Sequence, residues 1–285
     1  MKNYTTELRT AKDIAYETWQ KVAHFYDQPI NVETKADGSP VTVADKTANR
    51  HIIEQLQLAF PNDSIVSEEE ATISGGERTW YVDPIDGTKG FIKRNGHFAV
   101  QIGLCDSGSP VIGVVYAAAL GDMYSGIVGQ GAWRDNQRGK LELIISDAKQ
   151  EKLIASANGD YPEQELASLF EKANVSIFYN CGSEGLRLMK LAENRANLRI
   201  FENPNGPSSW DLCGPHAIFV AAGGTLNYID GSRIIYTQQR KFGKRYAAAS
   251  TSELMHKIVN AYNKKTGETA IQRLNLKEAD MLGLI

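Results

Sequence analysis

The 285-residue chain has few cysteines, no long apolar run and no surplus of either charge sign. Its three cysteines, Cys105, Cys181 and Cys213, are odd in number, far apart and without metal-ligand spacing. That excludes a disulfide framework and a zinc-finger site, and it points to a reducing, cytoplasmic setting. No apolar stretch is long enough to span a bilayer, and Met1 to Glu7 lacks the apolar heart of a secretory signal. Peripheral contact with a membrane, on the inner face of the plasma membrane, stays open. With 31 Lys and Arg against 34 Asp and Glu, the net charge is -3, which is no footprint for DNA or RNA polymers. A homodimer is compatible with the sequence.

What is present is an ordinary globular composition, 42% hydrophobic, enough to fill one large domain or two fused lobes. Leu8, Ala11, Ala15, Trp19, Val22 and Tyr26 recur at helical spacing. Residues 31–40 read as a polar turn or flexible loop around Asp37-Gly38-Ser39-Pro40. Val41 to Asp45 reads as a short extended segment entering a helix, whose buried face is Ala48, Ile52, Leu56 and Ala59. Ser64 to Ser67 and Thr79 to Val82 read as strands. Residues 98–145 read as consecutive strands joined by short turns, hence antiparallel neighbours. After residue 153 strands alternate with helices near 162–172, 184–193 and 215–222, an α/β pattern. The change of pattern predicts an N-terminal lobe over 1–150 and a C-terminal lobe over 151–263. The tail, 264–285, has no assigned role.

The run Asp83-Pro84-Ile85-Asp86-Gly87-Thr88 is the most specific motif. Pro84 removes a backbone donor and ends the strand. Gly87 permits a close backbone turn, which leaves the Gly87 and Thr88 amides free to face an anion. Two more acids, Glu68 and Asp211, sit at element ends. Taken singly, each carboxylate has a plain reading: Asp211 as a helix cap, Glu68 to Glu70 as a solvated acidic turn, Asp83 and Asp86 as turn formers. Together, four converging carboxylates would repel and raise one another's pKa values unless cations lay between them. All-oxygen ligation selects Mg²⁺, Mn²⁺ or Ca²⁺. Two such ions about 3.5–4 Å apart clamp the oxygens of an in-line phosphoryl displacement.

Glu68-Glu69, the Asp83 to Thr88 run, Trp210-Asp211 and Pro40 to Asp45 resemble the signatures of the inositol monophosphatase superfamily of Mg²⁺-dependent, lithium-sensitive phosphatases. The resemblance spans residues 8–260. Asp86 to Gly96 and Gly113 to Ala117 are most similar to the CysQ branch of 3'(2'),5'-bisphosphate nucleotidases.

The resemblance implies an α/β layered sandwich of αβαβα type, with metal held by Glu68, Asp83, the Ile85 carbonyl, Asp86 and Asp211. It implies two or three Mg²⁺ ions, with Mn²⁺ as a substitute and Li⁺ and Ca²⁺ as inhibitors. Asp45, Thr88 and Glu69 become the residues that orient or deprotonate water. Glu68, Ile85, Asp86, Gly87, Thr88, Ser183, Arg187 and Asp211 become substrate contacts. The implied substrate is a small phosphorylated molecule, foremost 3'-phosphoadenosine 5'-phosphate, with inositol 1-phosphate, histidinol phosphate and fructose 1,6-bisphosphate as alternatives. A non-catalytic regulatory binding protein is a different class, against which the intact acid set argues.

Two stretches depart from the branch. Ser156-Ala157-Asn158-Gly159 stands where Ser/Thr-Arg-Ser-His is usual. Cys181 to Arg187 stands for Gly-Ser-x-x-Lys with one residue more and Arg187 for the lysine.

Overall fold

The chain opens with a long helix, α1 (Thr5–Tyr26), which buries Leu8, Ala11, Ile14, Ala15, Thr18 and Val22 along one face. The computed structural model describes residues 2–146, 153–157, 164–172 and 174–266. A hairpin follows: β1 (Val32–Thr34) lies inside the region that reads as a polar loop, and β2 (Pro40–Thr42) runs into the extended segment expected from Val41. All of β1 is exposed, so it carries no apolar alternation to betray it. Helix α2 (Val43–Ala59) starts at a capping box in which Thr42 and Asp45 bond each other's ends.

Next come β3 (Ser64–Ser67), β4 (Thr79–Asp86), the short helix α3 (Thr88–Ile92), β5 (Ala99–Asp106), β6 (Ser109–Ala117), β7 (Asp122–Ile127), β8 (Gly131–Asn136) and β9 (Gly139–Leu143). Strands β3 to β9 form one seven-stranded sheet in chain order, antiparallel except for the β3–β4 pair. The expected antiparallel run is there, and it is two strands longer than the three named from sequence.

The remaining elements are β10 (Leu153–Ala157), α4 (Gln164–Lys172), β11 (Val175–Asn180), α5 (Glu184–Ala192), β12 (Leu198–Ile200), α6 (Ser209–Ala221), β13 (Thr225–Tyr228), β14 (Tyr246–Ala249) and α7 (Ser252–Thr266). The five strands order as β11-β10-β12-β14-β13. Helices α1 and α2 cover one face of the large sheet, α5 and α6 lie between the sheets, and α4 and α7 cover the far side. This is an αβαβα layered sandwich. The tail from residue 267 lies outside the described residues. No described helix is long and apolar enough to cross a membrane. All three cysteines are buried free thiols.

Helix α6 starts six residues before the expected 215, with Pro215 inside it. Proline here removes only the bond that the Asp211 carbonyl would accept, and packing carries the helix through. Gly103, Gly113 and Gly126 stand opposite one another on β5, β6 and β7. A Cβ on Gly113 would lie 2.0 Å from the Gly214 oxygen, and one on Gly103 would lie 2.4 Å from the Gly214 nitrogen. The helix backbone therefore rests directly on the sheet, and this seat brings its first turn to the end of β4.

Candidate active site

Strand β4 is buried throughout. Its ladder with β5 runs to Asp83 opposite Gln101 and resumes only at Asp86 opposite Ala99, because Pro84 has no N–H to give. Asp83 Oδ1 accepts from the Ile85 N–H at 3.0 Å. Gly87 then turns the chain with φ 91°. A Cβ there would lie 2.5 Å from the His97 carbonyl oxygen, so conformation and space both demand glycine. Gly87 caps α3, and the N–H groups that open this helix have no intrahelical acceptor.

Asp211 arrives in the first turn of α6, as the partner of the Ser208 cap and not as the cap itself; its Oδ2 accepts from the Ser208 N–H at 3.0 Å. Carboxylate oxygens of Asp83, Asp86 and Asp211 lie within 4.8 Å of one another, and such a group can hold a metal ion. The donors are all hard oxygens, which suits a divalent cation of the Mg²⁺ or Ca²⁺ type.

Burial, and then the charges of Glu68, Asp86 and Asp211, raise the Asp83 pKa well above the ordinary carboxylate range. Burial, and then Asp86 and Glu68, do the same to Asp211. A folded-state pKa above the unfolded value means that stability falls as pH rises through that window. Metal-free Asp83→Asn should therefore be more heat-stable than the wild type at neutral pH. The advantage should fade toward pH ~4, where the unfolded aspartate also takes its proton. His216, whose pKa burial lowers to about 3, titrates across this range in both proteins and cancels in the comparison. An advantage that persists unchanged at low pH would refute the raised pKa of Asp83.

Asp45 Oδ2 accepts from the Thr42 N–H at 2.8 Å and the Thr42 hydroxyl at 2.6 Å. Its Oδ1 accepts from the Thr88 hydroxyl at 3.1 Å. Burial raises the Asp45 pKa, against the pull of these bonds. Thr88 also reaches the Ile85 carbonyl, at 3.4 Å. Just past β3, Glu68 and Glu69 each accept from Lys35 Nζ at 2.6 Å. Burial raises the Glu69 pKa and Lys35 opposes it. The expected four-carboxylate cluster is thus three aspartates with Glu68 at its edge, close enough to act on Asp83 but tied to Lys35.

A model of the inositol monophosphatase family matches residues 2–266. The chain belongs to the inositol monophosphatase family. It is 33% identical over 235 residues to the 3'(2'),5'-bisphosphate nucleotidase CysQ of Escherichia coli strain K12, which covers 80% of this chain and 93% of that one. The Salmonella typhimurium CysQ is 34% identical over the same shares. In fold, the inositol monophosphatase of Anabaena matches with a TM-score of 0.73 at 23% identity, over 92% of this chain and 97% of that one. The metal dependence of the inositol monophosphatase family fits the three-aspartate group.

In this family member Asp86 is anchored from the second layer of helices. It accepts from the Ser183 hydroxyl at 2.5 Å, the Gly185 N–H at 2.7 Å and the Glu184 N–H at 3.2 Å, and also from the Gln101 side-chain amide. Burial raises the Asp86 pKa to about 6, while the bonds from Ser183 and Gly185 hold it down. Gln101 is not among the expected site residues. The signal for it is a polar residue in the middle of the otherwise apolar run Ala99 to Cys105, in a strand that is buried throughout, where a polar group needs a partner.

A Cβ on Gly185 would lie 2.7 Å from Gln101 Nε2. Gly185→Ala should displace Gln101 and lower kcat by about tenfold, the scale of a lost supporting bond at a metal ligand. Gly185→Ala/Gln101→Ala should be no slower than Gln101→Ala alone. Additive losses in a steady-state comparison of the three variants would show the contact to be immaterial.

Two of the expected substrate contacts, Ser183 and Arg187, have partners within the protein. Ser183 is wholly buried, and its hydroxyl donates to Asp86 and accepts from the Leu186 N–H at 3.2 Å. Arg187 is buried and donates to the Cys181 carbonyl at 2.7 Å and to Glu184 Oε2 at 2.6 Å. The i,i+3 spacing sets Glu184 on its face of the helix, and Glu184 also accepts from Arg199 and Tyr246. Burial works against the Glu184 charge, but Arg199 and Arg187 prevail and pull its pKa to about 2.

Asn158 and Gly159 lie outside the described residues. Lys244 and Arg245 are engaged elsewhere, on Asp230 and on the Glu202 carbonyl. His216 meets Tyr236 at 3.1 Å, in keeping with a structural role. Gly75 and Gly76 are packed against the chain at Asn62 and Asp63 as a connector.

Proposed function

We propose that this protein is a Mg²⁺-dependent phosphoric monoester hydrolase that cleaves 3'(2'),5'-bisphosphate nucleotides, with 3'-phosphoadenosine 5'-phosphate going to AMP and phosphate. The observation that carries this is the convergence of Asp83, Asp86 and Asp211 beside the Gly87–Thr88 turn. The CysQ relatives supply the substrate class.

In this reading Asp83, Asp86, Asp211, Glu68 and the Ile85 carbonyl hold two or three Mg²⁺ ions. Bound there, the ions would lower the pKa of water and offset charge on the phosphate. The Gly87 and Thr88 amides cradle the phosphate. The Thr88 hydroxyl donates a hydrogen bond to Asp45 Oδ1 at 3.1 Å, so its free lone pair accepts from the attacking water. Asp45 receives the proton, and its raised pKa suits that task. Glu69 is a second acceptor. The site lies between an N-terminal lobe, 1–150, and a C-terminal lobe, 151–263, and the protein works in the cytoplasm.

Inositol 1-phosphate is the second reading, because Ser183 and Arg187 are occupied within the protein and do not await a second phosphate. A panel of adenosine bisphosphate, inositol 1-phosphate and histidinol phosphate with Mg²⁺ should give the highest kcat/KM for the nucleotide, and lithium should inhibit. A higher kcat/KM for inositol 1-phosphate would overturn the substrate. No Mg²⁺-dependent phosphate release from any of them would overturn the enzyme.

A further inference from the structure

We propose that Arg240 is a positioning residue that ties the Glu68–Glu69 loop to the start of α6 and so sets how tightly the site binds a divalent cation. This rests on the metal-dependent reading above. Arg240 belongs to a basic cluster, with Lys241, Lys244 and Arg245, of the kind that could gather a phosphate. Its guanidinium is turned to another use. Nη1 donates to the Ser67 carbonyl at 2.7 Å and the Glu70 carbonyl at 2.8 Å, and Nη2 donates to the Glu68 carbonyl at 2.8 Å.

The same guanidinium lies 4.4 Å from the ring centroid of Trp210, the residue before Asp211. Its backbone carbonyl accepts from the Ser209 N–H at 3.0 Å, and Lys241 bridges to Ser208. One residue thus holds both the loop that carries Glu68 and Glu69 and the turn that carries Asp211. The loop has few other fastenings: the Glu68 N–H on the Val82 carbonyl at 3.2 Å, the Glu69 N–H on Ser67 Oγ at 3.4 Å, and Lys35.

Three carbonyls aimed at one planar fork, with an aromatic face beneath it, is a demand that lysine cannot meet. Carbonyl contacts carry no information about a substrate. Their effect is to fix where the glutamates stand relative to Asp211, and cation affinity depends on that spacing.

The test is calorimetric titration of Mg²⁺ into the full chain without substrate, for wild type, Arg240→Lys and Arg240→Gln. Thermal melts with and without Mg²⁺, and kinetics at saturating Mg²⁺, complete the set. Both variants should bind Mg²⁺ about tenfold or more weakly, with kcat at saturating Mg²⁺ within about threefold of wild type. The metal-free melting temperatures should match the wild type, and the Mg²⁺-induced rise should shrink. The lysine variant keeps charge and stem, so it reports even where the glutamine variant does not fold. Unchanged Mg²⁺ affinity in the variants, with or without a lower metal-free melting temperature, would overturn the proposal. A wild type that binds no Mg²⁺ would instead overturn the metal-dependent reading beneath it.

Discussion

Asp211→Asn should lose at least about a hundredfold in kcat, since even residues that merely support a metal ligand cost 10–100-fold. The fold should survive. Asparagine keeps the shape, and its carbonyl oxygen can still accept from the Ser208 N–H that now bonds Oδ2 at 3.0 Å. The freed amide then points toward Asp83 and Asp86, where it accepts nothing and donates to a carboxylate. The metal-free variant should therefore melt no lower than the wild type at neutral pH. Phosphate release with Mg²⁺ and a thermal melt without it give both numbers. Near-normal turnover would remove Asp211 from the site. Asp86→Asn is a poorer probe. Four donors converge on that carboxylate, so an amide nitrogen there would face a donor, and loss of activity would be mixed with loss of fold.

Gly113→Ala should be the most damaging methyl that can be added to the core. The new carbon would sit 2.0 Å from the Gly214 oxygen, against backbone that has no rotamer to change. Overpacking costs about 1–3 kcal/mol where side chains can give way, and backbone cannot, so a loss of about 3 kcal/mol or more is expected. The melting temperature should fall by roughly 6–12 °C for a chain of this size. Because Asp211 rides on α6, kcat should fall too. Gly126→Ala is the graded control, since its nearest contact is the Ile218 Cα at 3.1 Å. Equal losses for the two variants in denaturant unfolding would show that α6 is not seated on the sheet in this way.

How much of this is legible in the sequence depends on how local each signal is. Asp83 to Thr88 is legible because each position has a mechanical duty within six residues: a proline that breaks the ladder, a glycine that must turn left-handed, a threonine that opens a helix. The α1 face and the antiparallel run are legible by period. Asp211 is legible only as one more acid at an element end; nothing local separates it from an ordinary helix-start acid, and the family resemblance supplies its role. Lys35, Gln101 and Arg240 act through partners 15 to 173 positions away, and a single sequence does not pair them.

Ser183 and Arg187 show the reverse case. Their residue types suit a phosphate, and the structure gives them protein partners, Asp86 and Glu184. Pro215 misleads for a third reason. A proline usually marks a helix boundary, and here two sheets enclose the helix and hold it past the missing bond.

At Gly103, Gly113 and Gly126 helix α6 comes against β5, β6 and β7 with no cushion of strand side chains between. Packed elements slide or hinge by re-sorting such a cushion. Without one, Asp211 travels with Asp83 and Asp86 as a single rigid jaw. Arg240 ties the 67–70 loop to this same body, through the Ser67, Glu68 and Glu70 carbonyls on one side and the start of α6 on the other.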